Sequence, residues 1–275
     1  MVSDKPTLSI AIITLNEERN IGDCLASVSD IADEIIVLDS FSADSTESIC
    51  RQYPKVIFSQ HAFDGYITQR NRAMSKCSGE WVLIVDADER VTPELRKSIE
   101  DFIARNPVEN GARFPRLTFH MKKFIRHSSW YPNARCRLIR KGKGRWGGES
   151  PHEKLLVDGK MADLKGDLLH FSFRDLSDQV ATINAFSSLA ALSRFNKGRL
   201  FSLGRLFFKP ISKFLEIFLF KRGFLDGIQG WIIAISSSYS TFLKEAKLFE
   251  LDRLGSDKPS NLSPKFEKTL NVKRK

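Results

Sequence analysis

A chain of 275 residues, 42% hydrophobic and 28% charged, is long enough to bury one sizeable core and carry an appendage. Its formal net charge of +10 is unevenly spread: residues 1–111 hold 11 Lys+Arg against 19 Asp+Glu, and the remainder holds 32 against 14. The four cysteines (Cys24, Cys50, Cys77, Cys136) lack CxxC spacing, which speaks against a zinc module or disulfide framework and for reduced thiols in the cytosol. No apolar signal segment opens the chain.

In chain order, Leu8–Leu15 reads as a strand, and a polar turn then opens a helix with Ile21, Leu25 and Val28 on one face. Glu34–Leu38 is a second strand ending at Asp39, followed by a helix from the Ser42-Ala43-Asp44-Ser45 cap to about Tyr53. Val56–Phe58 is a short strand, residues 66–77 a helix, and Trp81–Val85 a fourth strand. Thr92 and Pro93 mark the N-cap and first position of a helix reaching about Ala104. This alternation predicts an α/β fold around a mostly parallel, doubly wound sheet.

The expected organisation is an α/β half over 1–110, an acceptor and catalytic portion of the same domain over 111–175, C-terminal helices over 176–254, and a disordered basic tail over 255–275. Residues 112–170 hold β-like pieces (Ala112–Phe119, Arg135–Arg140, Lys154–Val157, Asp167–Phe171) among Gly, Pro and Trp. From Ala112 to Gly148 there are 11 basic residues and no acid, which implies an anionic partner: phosphate, nucleic acid or an acidic membrane surface. Residues 175–197 predict an amphipathic helix marked by Leu176, Val180, Ile183, Leu189 and Leu192. Phe207, Phe208, Ile211, Phe214, Leu215 and Phe218 then recur at helical spacing, with Arg205 and Lys209 on the other face, as in an interfacial membrane helix. The apolar stretch Gly223–Leu243 contains Asp226, Gln229 and several Ser/Thr, so an in-plane or packed helix is expected, not a span, which needs about 20 predominantly apolar residues.

The segment Trp81-Val82-Leu83-Ile84-Val85-Asp86-Ala87-Asp88-Glu89 carries the chemistry. An apolar run of this length predicts a buried parallel strand. Ligand sites in open α/β sheets lie beyond the carboxyl ends of such strands. Asp86 and Asp88 offer hard oxygen ligands suited to Mg²⁺ or Mn²⁺ on a diphosphate. The ends of the first two strands add Thr14, Asn16 and Glu18, then Asp39 and Ser42, so three polar strand ends converge on a nucleotide site. A formal GxGxxG at Gly142–Gly147 lacks the strand–turn–helix context, and a dinucleotide dehydrogenase is rejected.

Ile12–Ile21 (IITLNEERNI), Val37–Thr46 (VLDSFSADST), Gln69–Ala73 (QRNRA) and Asp86-Ala87-Asp88 together resemble the inverting family-two glycosyltransferases with the GT-A fold. The likeness covers about residues 7–105 and extends more weakly to about 175. Trp146 followed by Pro151-His152-Glu153-Lys154-Leu155 is similar to lipopolysaccharide core enzymes that move glucose from UDP-glucose onto an inner-core heptose. The resemblance implies a nucleotide-sugar site of Thr14, Leu15, Asn16, Glu18, Asp39, Ser42, Gln69, Arg70, Asn71, Asp86, Ala87 and Asp88. Within it Asp39 would contact uracil or ribose, Asp86 the ribose side, and Asp88 a Mg²⁺ or Mn²⁺ ion. His152 is a candidate contact to diphosphate or metal, and His170, at the end of a strand-like run, is a rival metal ligand.

Sugar transfer needs a carboxylate to take the acceptor's proton. Glu149 and Glu153 are the only acids between Gly111 and Leu156. The resemblance favours Glu153. Trp130, Arg135, Arg137 and Trp146 are expected to meet the acceptor or its phosphates. The expected activity is inverting transfer of a sugar, UDP-glucose being the favoured donor, to a phosphorylated lipid-linked saccharide such as the lipopolysaccharide inner core. The enzyme would sit in the cytoplasm, peripheral on an anionic membrane surface at the inner face. Transfer to polyprenyl phosphate is the alternative. A nucleic-acid partner rests on charge alone and has no recognition motif behind it.

Overall fold

The computed structural model describes residues 6–148 and 153–256. The first part alternates β1 (Leu8–Thr14), α1 (Ile21–Val28), β2 (Glu34–Asp39), α2 (Thr46–Cys50), β3 (Val56–Gln60), α3 (Tyr66–Ser75), β4 (Trp81–Ile84), β5 (Glu89–Val91) and α4 (Pro93–Ala104). Short strands follow: β6 (Gly111–Phe114), β7 (Arg116–His120), β8 (Lys123–Phe124), β9 (Arg135–Arg140), β10 (Gly144–Gly147), β11 (Lys154–Val157), β12 (Met161–Asp163) and β13 (Leu168–His170). The rest is helical: α5 (Leu176–Asn196), α6 (Leu203–Leu215), a π turn (Glu216–Phe220), a 3-10 turn (Gly223–Asp226) and α7 (Ile228–Arg253).

Seven strands form one sheet in the order β12-β6-β9-β4-β1-β2-β3. β4, β1, β2 and β3 run parallel, while β9 is antiparallel to both β4 and β6. The strand order reverses between β1 and β4, so their outgoing loops diverge and leave a crevice at their carboxyl ends. Successive strand side chains point to opposite faces. Ile10, Ile12, Ile35, Val37, Leu83 and Val85 join α1 and α4 in one apolar layer. Ala11, Ile36, Leu38, Val82 and Ile84 join Ala73 and Cys77, from α3 and just beyond it, with Trp146 and Leu155, in the other. Burial on both faces is why these strands read as nearly continuous apolar runs. Gly79 lets the chain enter β4 tight against β1, since a Cβ there would lie 2.9 Å from the Ser9 nitrogen. The observed architecture is the expected one: a mostly parallel α/β domain followed by helices.

The chain divides into two compact units, one running to Leu117 and resuming over Pro132–Phe171, the other taking Thr118–Tyr131 and the chain from Ser172. The expected segment 111–175 is therefore not one piece. The reason is local to the second unit. The buried Asp226 carboxylate accepts the Arg126 N–H at 3.2 Å, the His127 N–H at 3.1 Å and the Ser128 hydroxyl at 2.8 Å, tying residues 126–128 to the helices. α5 packs on α7 through Leu189, Leu192, Leu248 and Leu251. α6 is bound to α7 by the Ser238 hydroxyl, which donates to the Pro210 carbonyl at 2.8 Å. A Cβ on Gly230 would lie 1.8 Å from the Gly223 carbonyl oxygen, so only glycine lets α7 start so close to the preceding turn.

Three elements differ from their sequence reading. The helix expected from Ser42 to Tyr53 is confined to Thr46–Cys50, because the Ser42 hydroxyl is spent on Asp39 and the Asn16 N–H, and Asp44 accepts the Thr46 N–H at 3.0 Å, which places the start there. The strand expected over Ala112–Phe119 breaks at Pro115, which has no N–H to give a ladder. In α5, Leu176 and Val180 are exposed, because the helix packs on α7 through its second half. Among the described residues no helix is long and apolar enough to cross a membrane. Glu149, His152 and the expected tail beyond Ser256 lie outside the described residues.

Candidate functional site

The carboxyl ends of β1 and β2 are joined loop to loop. Asp39, fully buried at the end of β2, accepts the Thr14 hydroxyl at 2.9 Å and the Ser42 hydroxyl at 2.5 Å on one oxygen. Its other oxygen accepts the Ser42 N–H at 2.8 Å and the Gln60 amide at 3.3 Å. Asn16, with φ of 56°, donates its N–H to the Ser42 hydroxyl at 2.8 Å and accepts the Ala43 N–H at 2.9 Å. Glu18 accepts the Ser45 N–H, and Asp44 accepts the Glu18 N–H, each at 3.1 Å. Gln69, buried on α3, donates to the Ser40 hydroxyl and the His61 carbonyl, both at 3.2 Å. Thr14, Asn16, Glu18, Asp39, Ser42 and Gln69 thus form one polar framework, with Leu15 half-buried among them.

At the end of β4 the two aspartates have separate partners. Asp86 accepts Arg70 at 2.8 Å on one oxygen and Arg137 at 2.5 Å on the other. Burial disfavours its charge, but the two guanidinium groups outweigh that and hold the carboxyl far below the usual carboxylate range. Glu89, fully buried, accepts the Asp86 N–H at 3.0 Å, Arg137 at 2.9 Å and Arg116 at 3.4 Å. Ala87 between the aspartates is buried. Asp88 faces the other way: its carboxylate lies 3.3 Å from Nε2 of His170, and its carbonyl accepts the Phe171 N–H at 2.9 Å. The β5–β13 pairing, which sets Glu89 opposite His170, brings this histidine to the aspartate. Both side chains of the pair keep partial access to solvent.

Trp146 supplies the floor beside Asp86. The Arg70 guanidinium lies 4.5 Å and that of Arg137 5.5 Å from its ring. Asn71 clamps the Trp146 backbone, donating to its carbonyl at 3.0 Å and accepting its N–H at 2.9 Å. Arg70 Nε, Arg137 Nε and Nη1, Arg116 Nε and Trp146 Nε1 are buried without a hydrogen-bond partner. The cluster is therefore rich in donors and suits an anionic ligand. Arg135 is exposed next to it, its pKa lowered by partial burial and by the like charges of Arg116 and Arg137.

Four expected acceptor contacts divide. Arg135 is open to a ligand, with no partner among the described residues. Arg137 is buried and already engaged by two carboxylates, and Trp146 is buried with its ring occupied by arginines. Both are framework and not free contacts, because an uncompensated arginine cannot be kept in an interior. Trp130 belongs to the second unit, where its ring lies 5.3 Å from His120 and 6.2 Å from Phe173. Glu153 is part-buried immediately before β11, in the hairpin that pairs Trp146 with Leu155. The sequence reading missed Glu89 and Arg116. Glu89 had a visible signal, a third carboxylate directly after the aspartate pair; Arg116 had none, since its partner lies 27 residues away.

An Mg²⁺ or Mn²⁺ ion fits Asp88 and His170: one hard carboxylate and one imidazole nitrogen, partly open to solvent, leave room for phosphate oxygens and water. Among the described residues no cluster of three or more His, Cys, Asp or Glu offers an alternative. Cys24, which touches the Asp86 carbonyl at 3.6 Å, is no competing ligand. Burial first, then Glu89 and Asp88, push its thiol well above its ordinary pKa.

Residues 9–155 match the model of glycosyl transferase family 2. The chain is 30% identical over 252 residues to the lipopolysaccharide core biosynthesis glycosyltransferase LpsC of Rhizobium meliloti, covering 90% of this chain and 93% of that protein. It is 32% identical over 261 residues to an uncharacterized glycosyltransferase of Rickettsia typhi, covering 89% and 87%. The Staphylococcus aureus TarS 1–349 structure in complex with UDP-GlcNAc superposes at TM-score 0.48 and 15% identity over 91% of this chain and 92% of that one, too loose a likeness to carry a ligand across. With the family model spanning more than half its length and two relatives aligned nearly end to end, the chain belongs to glycosyl transferase family 2.

Proposed function

We propose that this glycosyltransferase uses a UDP-sugar, with UDP-glucose favoured, and transfers the sugar with inversion to a phosphorylated, lipid-linked saccharide of the lipopolysaccharide inner-core type. The observation that carries the reading is the Asp88–His170 pair at the end of β4, next to the donor-rich cluster of Arg70, Arg137 and Trp146. The relative's role in lipopolysaccharide core biosynthesis supports the acceptor class. In this reading the nucleoside sits over the zipped β1 and β2 loops, where Asp39 holds the Ser42 turn in place. Arg70, held in place by Asp86, supplies positive charge where the leaving diphosphate becomes anionic, and Arg137 is the buried support behind that pair. Asp88 and His170 would hold Mg²⁺ or Mn²⁺, which when bound neutralises diphosphate charge. Glu153 takes the proton of the attacking hydroxyl, with Glu149 as the alternative base. Arg135 meets the acceptor's phosphate.

The test is transfer from UDP-glucose to a purified heptose-containing lipid acceptor with Mn²⁺, alongside a thermal-shift titration with Mn²⁺. Asp88→Ala is expected to abolish transfer and the metal-induced rise in Tm together, since a ligand of the native state alone stabilises it. An unchanged Mn²⁺ shift in Asp88→Ala sinks the metal assignment. Glu153→Gln is expected to keep UDP binding and lose transfer about 10²-fold or more. The same loss in Glu149→Gln, with Glu153→Gln active, moves the base to Glu149.

A further inference from the structure

The second unit leaves an unusual amount of apolar side chain uncovered. α6 has no buried residue, and Leu203, Phe207, Ile211 and Leu215 form an exposed stripe at four-residue spacing. Phe208 and Phe220, flanking it, are 72% and 79% exposed. α7 carries a second exposed stripe, Ile228, Trp231, Ile235 and Tyr239, at spacings of three and four. Trp231 links the two. Its ring stands edge-on to Phe214 and Phe218 at 5.1 Å from each, yet 45% of the residue stays exposed. Trp231 thus ties the α7 stripe to the aromatic side chains at the end of α6, and the exposed apolar residues of the two helices are more than the scattered single residues ordinary on a soluble domain.

The exposed charge around that surface is mostly positive, with Arg205 held by Glu245 of α7 at 2.9 Å. Between Lys197 and Leu225 there are seven Lys and Arg and one acid, Glu216, which is held by Lys213 at 3.0 Å. Lys209, Lys221 and Arg222 are exposed among the aromatics. A second copy of the chain is a poor occupant. A two-fold interface lays a patch on itself, and this one would bring its uncompensated positive charges together. A layer of anionic lipid satisfies both features at once. The aromatic and aliphatic side chains enter the acyl boundary, and the lysines reach back along their stems to the phosphates.

We propose that α6, the turn after it and the first half of α7 form a monotopic docking surface for an anionic lipid bilayer, lying in its plane. The surface is separate from the transfer chemistry and does not depend on the proposed donor or acceptor. The experiment is co-sedimentation of the full chain with vesicles of phosphatidylglycerol and phosphatidylcholine, and with vesicles of phosphatidylcholine alone. The wild type is expected on the anionic vesicles. Phe208→Ser with Phe220→Ser is expected to weaken that binding by about tenfold or more while the far-ultraviolet dichroism and Tm stay put, since both side chains are exposed. Lys209→Glu with Lys221→Glu is expected to abolish the preference for phosphatidylglycerol. Equal binding of wild type and the phenylalanine variant overturns the proposal. So does a wild type that ignores vesicles but sediments as a dimer, dispersed to monomer by the same substitutions.

Discussion

Arg137 shows how far a single residue's role depends on its neighbours. By type and position in a basic block it reads as a phosphate contact; in the fold it is buried between Asp86 and Glu89. Removing one partner of such a group leaves buried carboxylates uncompensated, so Arg137→Leu is expected to cost about 3 kcal/mol in urea unfolding. Acid should reveal the same coupling. Asp86 has a folded pKa far below its unfolded value of about 4, so its stabilising effect is complete above about pH 4 and is lost as pH falls toward the folded value. The wild-type urea midpoint should therefore fall steeply between about pH 4 and pH 3, and that of Arg137→Leu less, because its Asp86 has lost part of the depression. Parallel pH curves for the two proteins would exclude this coupling. Asp86 and Asp88 were legible at this scale because they follow an uninterrupted apolar run. Their different partners were not, because Arg137 and His170 lie 51 and 82 residues farther along the chain.

Elements were most legible where local chemistry decides them. Thr92 accepts the Leu95 N–H at 3.3 Å with Pro93 in the first helical position, as the dipeptide announces. Thr92→Ala should cost about 1 kcal/mol of stability in urea unfolding, with transfer activity unchanged, since α4 packs on the face of the sheet away from α3. Loss of activity without loss of stability would contradict a purely structural cap. The β1–β2 loops were harder. Ser42 is a good helix-capping residue, but the Asp39 carboxylate claims its hydroxyl, while Asp44 accepts the Thr46 N–H at 3.0 Å, and α2 starts later. A cap is a local preference of about 1 kcal/mol, and a buried carboxylate seeking hydrogen bonds overrides it.

At the scale of the whole molecule the charge asymmetry has a functional consequence. The acidic N-terminal stretch and the basic remainder differ in sign, and the long acid-free run from Ala112 to Gly148 is the strongest basic block. If the acceptor is the proposed anionic saccharide, long-range attraction speeds its encounter and salt screens it. The kcat/KM for the lipid acceptor should fall about tenfold from about 0.02 to 0.5 M salt, while KM for the UDP-sugar changes little. A salt-independent acceptor term would remove the basic block from acceptor recognition.

The sequence by itself determined the strand–helix alternation, the three polar strand ends, the family likeness and the exposed aromatic periodicity of α6, because each is written in short-range pattern. Tertiary structure alone decided that Asp86 belongs to a guanidinium clamp and Asp88 to His170, and that Arg137 and Trp146 are walls and not open contacts. It also decided that residues 118–131 join the helices through Asp226. Those outcomes rest on pairings between residues far apart in the chain, set by strand order, register and the need to partner every buried charge.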